Sequence, residues 1–175
     1  MRAILVALIL ASAAGRVSAG DHEVSPAACG APGPAEAGVR ACTALIDAGQ
    51  LKGDALSDVY YHRAWAYRRA RQIDPAIADF LQAIALTEDF GRLFILYVDL
   101  AQAYEVKGLY DQAVDNFSLA LEIAPDSPFV YYFRAEDYRK MGRRDEAIAD
   151  YRAALKLRPS LTAARDGLIS LGATP

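Results

Sequence analysis

Histidine, cysteine and tryptophan are scarce in this chain of 175 residues, at two, two and one. His22 and His62 lie too far apart in sequence for the short ligand pairs of a metal motif, so no metal site is expected. The 12 glycines are scattered, and none follows a predicted strand, which leaves no nucleotide fingerprint. Serine, histidine and aspartate occur without any motif that sets a nucleophile beside a base. The chain is therefore expected to be no enzyme and to need no cofactor. Positive charge is not in excess either. With 19 Lys+Arg against 22 Asp+Glu the formal net charge is −3, which argues against a nucleic-acid partner.

Long apolar runs are also lacking. The longest, Ala3 to Ala14, falls short of the roughly 18 residues that mark a bilayer-spanning helix, so no stable membrane span is expected in the mature form. With Arg2 before it and small residues at Val17, Ser18 and Ala19 after it, the run reads as a signal peptide over residues 1–19. Removal of Arg2 and Arg16 with it leaves 17 Lys+Arg against 22 Asp+Glu. The expected location is periplasmic or secreted, most simply a bacterial cell envelope. An uncut amino terminus acting as a membrane anchor is the other reading.

The two cysteines, Cys29 and Cys42, both fall early in the mature chain. In an exported protein such a pair is expected to form a disulfide, pinning the Pro/Gly-rich leader of residues 20–34 to the helix that follows. Two free thiols, or a lipid on Cys29, are the other readings. From Ala35 the pattern becomes helical. Ala37, Ala41, Ala44 and Leu45 fall on one face, and Gly49 marks the stop.

Beyond this point a pattern repeats three times. Alanine, an aromatic four residues later and alanine three after that recur at Ala76, Phe80 and Ala83, at Ala113, Phe117 and Ala120, and at Ala147, Tyr151 and Ala154. At 3.6 residues per turn each triplet lies on one helical face, small residues letting helices approach and the ring filling the gap. Upstream of each triplet stands a second pair, Ala64 with Tyr67, Ala101 with Tyr104 and Ala135 with Tyr138. Copies two and three are 34 residues apart; copies one and two are 37 apart, which places an insertion near Gly91, Arg92 and Leu93. Gly108 and Gly142 are expected to end first helices, and Asp74, Asp111 and Asp145 to cap second helices. Pro125 and Pro159 close second helices, and Ser127–Pro128 opens the third hairpin. In the first copy Glu88 stands in place of the closing proline.

A 34-residue period of two helices resembles the tetratricopeptide repeat, from about Ser57 to Leu161. The resemblance implies an all-α, right-handed superhelical α-solenoid over residues 35–175 as one domain. It would hold three hairpins at about 57–90, 94–127 and 128–161. A half-repeat helix with Ala41 in the aromatic's place precedes them, and a capping helix at 161–171 follows, with Leu161, Ala164, Leu168 and Leu171 inward. It further implies a concave groove that binds another protein or peptide; the expected oligomeric state is a monomer. The matching groove positions are Tyr61, Trp65 and Arg68, then Val98, Gln102 and Glu105, then Tyr132, Glu136 and Arg139. Aromatic and arginine side chains suit such contacts, and packing of Tyr61, Trp65 and Tyr132 between helices is the competing reading. Relatives that grip chaperone tails carry a lysine and asparagine set; Tyr61, Trp65, Val98 and Gln102 stand there instead, so that activity is not expected. Two further readings are a self-assembling subunit and an anion or acidic-peptide binder. The second would use a rim of Arg68, Arg69, Arg71, Arg139, Lys140, Arg143 and Arg144.

Overall fold

The computed structural model describes residues 29–174. The expected signal segment, and the leader as far as residue 28, lie outside the described residues. Among the described residues every regular element is a helix: α1 (Ala35–Asp47), α2 (Gly53–Arg69), α3 (Ile73–Leu86), α4 (Phe90–Val106), α5 (Tyr110–Ile123), α6 (Pro128–Lys140), α7 (Arg144–Leu157) and α8 (Thr162–Ser170). The densest packing is within α2/α3, α4/α5 and α6/α7, and each helix also meets the next in sequence. The result is an α-solenoid of three hairpins with one helix before them and one after.

The triplets explain why the hairpins nest. Phe80, Phe117 and Tyr151 are each fully buried, and so are the six alanines that flank them. Each ring belongs to its own cluster: Phe80 with Ala64, Leu96 and Leu100, Phe117 with Ala101 and Val130, Tyr151 with Ala135, Ala164 and Leu168. Every cluster thus joins a hairpin to the helix after it, which makes the core a chain of local units. At the last junction the fit is tightest, because a Cβ on Gly167 would come 2.4 Å from Tyr151 Cζ. Glycine there is what lets α8 close over the ring.

A second set of contacts repeats with the rings. Arg63 on α2 donates from Nε and Nη2 to Asp79 on α3 (2.7 and 2.9 Å) and from Nη1 to Thr43 on α1 (3.1 Å). Arg134 on α6 does the same to Asp150 on α7 (2.7 and 3.0 Å) and Ser118 on α5 (2.8 Å). Each guanidinium also lies over two tyrosines of its own helix, Tyr60 and Tyr67, or Tyr131 and Tyr138. In the middle hairpin all three places change together. Leu100 replaces the arginine, Asn116 the aspartate and Leu81 the hydroxyl residue. A polar clamp is thus exchanged as a whole for apolar packing, with no charge left stranded.

Several local expectations are corrected. The second helices start two residues early, at Ile73, Tyr110 and Arg144, and their N-caps are Gln72, Leu109 and Arg143 without side-chain cap bonds. Asp74, Asp111 and Asp145 are therefore first-turn residues, favoured there by the positive end of the helix dipole. The glycine stops hold, with φ of 72° at Gly108 and 73° at Gly142. At the same turn of the first hairpin stands Arg71, at φ 59°. On α1 it is Cys42 that is fully buried, while Ala44 is exposed. Gly38, Cys42 and Leu45 repeat the four-then-three spacing, so Cys42, not Ala41, holds the aromatic's place. Thr43 following Cys42 as Ser118 follows Phe117 confirms that register.

The bond between Cys29 and Cys42 is formed, and it ties residues 30–34 across α2. Gly30 packs under the His62 ring, where a Cβ would lie 3.1 Å away, and Gly33 accepts a hydrogen bond from Arg69 through its carbonyl. His62, Ala66 and Arg69 occupy the face with which α4 and α6 meet the preceding first helix. The strap therefore stands where the first helix of the half-repeat would be.

Candidate functional site

The first helices α2, α4 and α6 meet through side-chain contacts of Trp65, Arg68 and Lys140 with the neighbouring first helix. Geometry brings the expected residues of α2 and α4 together around one carboxylate. Trp65 donates from Nε1 to Asp99 Oδ2 at 3.0 Å, Arg68 reaches Asp99 Oδ1 at 3.4 Å and Gln102 Oε1 at 3.3 Å, and the guanidinium stacks 4.5 Å from the indole centroid. Asp99 is buried. That burial pushes its carboxyl above the usual range, with Trp65 and Arg68 acting in the other direction. The Tyr61 hydroxyl is raised as well, first by burial and then by Asp99.

Trp65 is 36% exposed, so the same ring is both locked by partners and open to solvent. Tyr61 packs on Phe80 and Tyr132 on Tyr151, each at 6.2 Å between centroids. Interior packing therefore holds both tyrosine rings. Val98 is half-buried against the Phe117 cluster.

At the next junction the chemistry changes. Lys140 bridges Glu105 of α4 and Asp137 of α6, at 3.0 Å to each. Asp137 is fully buried, and among the described residues its Oδ2 has no hydrogen-bond partner. Burial, followed by the nearby charge of Glu105, pushes its carboxyl up to about 7. Further along, Glu136 pairs with Arg139 at 2.7 Å and accepts a hydrogen bond from the Tyr151 hydroxyl. Burial works against the Glu136 charge, yet the bonds from Arg139 and Tyr151 outweigh it and hold the carboxyl below its usual range. Tyr132, Glu136 and Arg139 then line a recess of about 430 Å³ with Asp166 and Ser170 of α8.

Asp99 and Asp137 were not among the residues expected at the site. Their signal lies in comparison between repeats. Asp99 occupies the place of His62 and Phe133, and Asp137 the place of Ala66 and Ala103. The arginine rim is largely engaged within the chain: Arg68 with Asp99, Arg69 with Gly33, Arg139 with Glu136, Lys140 with Glu105 and Asp137, and Arg143 with Glu146. Among the described residues no cluster of three metal-ligating side chains converges. No described helix is long and apolar enough to cross a membrane.

Two family models, both described as tetratricopeptide repeat, match residues 57–90 and 92–160. Superkiller complex protein 3 of Mus musculus is 31% identical over 129 residues, which is 73% of this chain and 8% of the mouse protein. The chain therefore spans less than a tenth of that relative. The crystal structure of MamA aligns with a TM-score of 0.69 at 18% identity, covering 78% of this chain and 76% of that one. The first TPR of Spaghetti (RPAP3) bound to HSP90 peptide SRMEEVD aligns at 0.62 and 19% identity, covering 69% and 94%. At such identities the likeness is one of fold.

Proposed function

The chain carries tetratricopeptide repeats from residue 57 to residue 160, and from that premise we propose that it is a non-catalytic scaffold of the cell envelope, periplasmic or secreted, that holds a protein or peptide partner in its concave groove. Repeats of this kind bind protein or peptide partners. The observation that carries the reading is the half-exposed Trp65, fixed in place by Asp99 and stacked by Arg68. A large ring already held in one orientation loses little freedom when a partner covers it. The oxidised Cys29–Cys42 pair supports the location, because disulfides persist outside the reducing cytosol.

The test is photo-crosslinking in the native compartment from Val98 in the groove and from Glu122, exposed on the opposite helix layer. A partner joined from Val98 and lost in Trp65→Ala, with circular dichroism unchanged, is the expected result. Equal capture from Glu122, or capture indifferent to Trp65→Ala, overturns the groove. Sedimentation at several concentrations checks the expected monomer, and the mass of the mature amino terminus checks signal cleavage.

A further inference from the structure

The extra residues of the second copy build a recess against α2. α4 begins at Phe90, eleven residues before Ala101, whereas α6 begins at Pro128, seven before Ala135. The added turn faces α2. Asp89, Gly91 and Arg92 from it, Asp58, Tyr61 and His62 from α2, and Ile95 and Leu96 enclose about 400 Å³ open to solvent.

The apolar part of the lining is Tyr61, Ile95 and the fully buried Leu96. Two large apolar side chains of this end of α4 stay in water, Ile95 at 49% and Phe90 at 72% exposure. The rim is acidic. Asp54, Asp58 and Asp89 gather about Arg92, which pairs with Asp58, lies 3.9 Å from Asp54 and gives its backbone amide to Asp89. Helix dipoles account for Asp54 and Asp89, which stand at the amino-terminal ends of α2 and α4. Asp58, in the second turn, is matched by Arg92, but neither accounts for the apolar surface left in water beside it.

We propose that this recess anchors a partner segment in which one large apolar side chain is flanked by lysine or arginine. The proposal rests on the groove reading and names the chemistry at one end of that groove. The apolar side chain covers Ile95 and Tyr61, and the flanking cations meet the acidic rim. Interactions at such a rim are screened by salt.

Three acetylated, amidated pentapeptides test it: Ala-Lys-Phe-Lys-Ala, its glutamate form with Glu for both Lys, and its alanine form with Ala for Phe. Trp65 is the sole tryptophan of the chain and sits one turn along α2 from Tyr61, so its emission reports binding, with calorimetry as the second measure. The lysine–phenylalanine peptide is expected to bind at least tenfold more tightly than either control, and to weaken severalfold from about 50 to about 300 mM salt. Ile95→Arg, at an exposed position where folding is retained, should remove the advantage. Equal affinity for the lysine and glutamate forms, indifference to Ile95→Arg, or no binding of any peptide at millimolar concentration overturns the proposal. Where Val98 still crosslinks a partner under those outcomes, the groove stands and the recess falls. Where the peptides discriminate but Val98 captures nothing, the reverse holds.

Discussion

Asp137 replaces, on α6, the buried alanine that α2 and α4 carry as Ala66 and Ala103. Its carboxyl faces Glu105 and Lys140 and holds a proton up to about pH 7 in the folded chain, against about 4 when unfolded. Between these values the folded state binds the extra proton, so this group's contribution to stability falls as pH rises from 4 to 7 and is flat above. The melting temperature should thus lose, from pH 5 to pH 8, a component that Asp137→Asn removes. An identical slope in the variant counts against the assignment. Arg71 makes the second residue-scale prediction. It holds φ 59° where the other hairpins use Gly108 and Gly142, and that region disfavours side chains bearing a Cβ. Arg71→Gly should therefore stabilise by about 0.5–1 kcal/mol in urea titrations. The triplets were readable because a ring between alanines recurs at fixed spacing. Asp99 was not, since its partner Trp65 lies one whole repeat away and neither residue is periodic.

At the scale of elements, the clamps give a sharper test. Arg63 and Asp79 are both largely buried, so Asp79→Asn alone strands a guanidinium and should cost about 3–5 kcal/mol. The triple change Thr43→Leu, Arg63→Leu and Asp79→Asn copies Leu81, Leu100 and Asn116 of the middle hairpin. It should cost far less than the sum of its parts, and chemical denaturation of the single and triple variants measures the difference. The clamp was visible in retrospect as arginine before Ala64 and Ala135 and aspartate before Phe80 and Tyr151. The insertion was located in the sequence, but not its form. It lengthens α4 by a turn while the linker shrinks to residues 87–89, because Asp89 accepts the Arg92 amide at 2.7 Å and caps the helix. On α1, Gly38, Ala41 and Cys42 are all small, so apolar pattern alone could not choose the inward face. The disulfide and Thr43 make that choice.

Over the whole molecule, each hairpin leans on its neighbours, so stability is local and the two ends differ. One end is closed by the nine-residue α8 seated on Tyr151 and the other by a covalent strap. Reduction, or Cys29→Ser with Cys42→Ser, should lower stability by about 3 kcal/mol. The loss should appear first as faster amide exchange in α1 and the amino-terminal half of α2, with α6 and α7 unchanged. Exchange rising evenly along the chain would contradict this picture. The strap has one more consequence. It fills the berth in which another hairpin would dock on α2, whereas α8 presents the start of a unit that could be completed. Additional hairpins grafted by protein engineering can extend this array past Ser170 but not ahead of Ala35, so growth of the superhelix is one-directional.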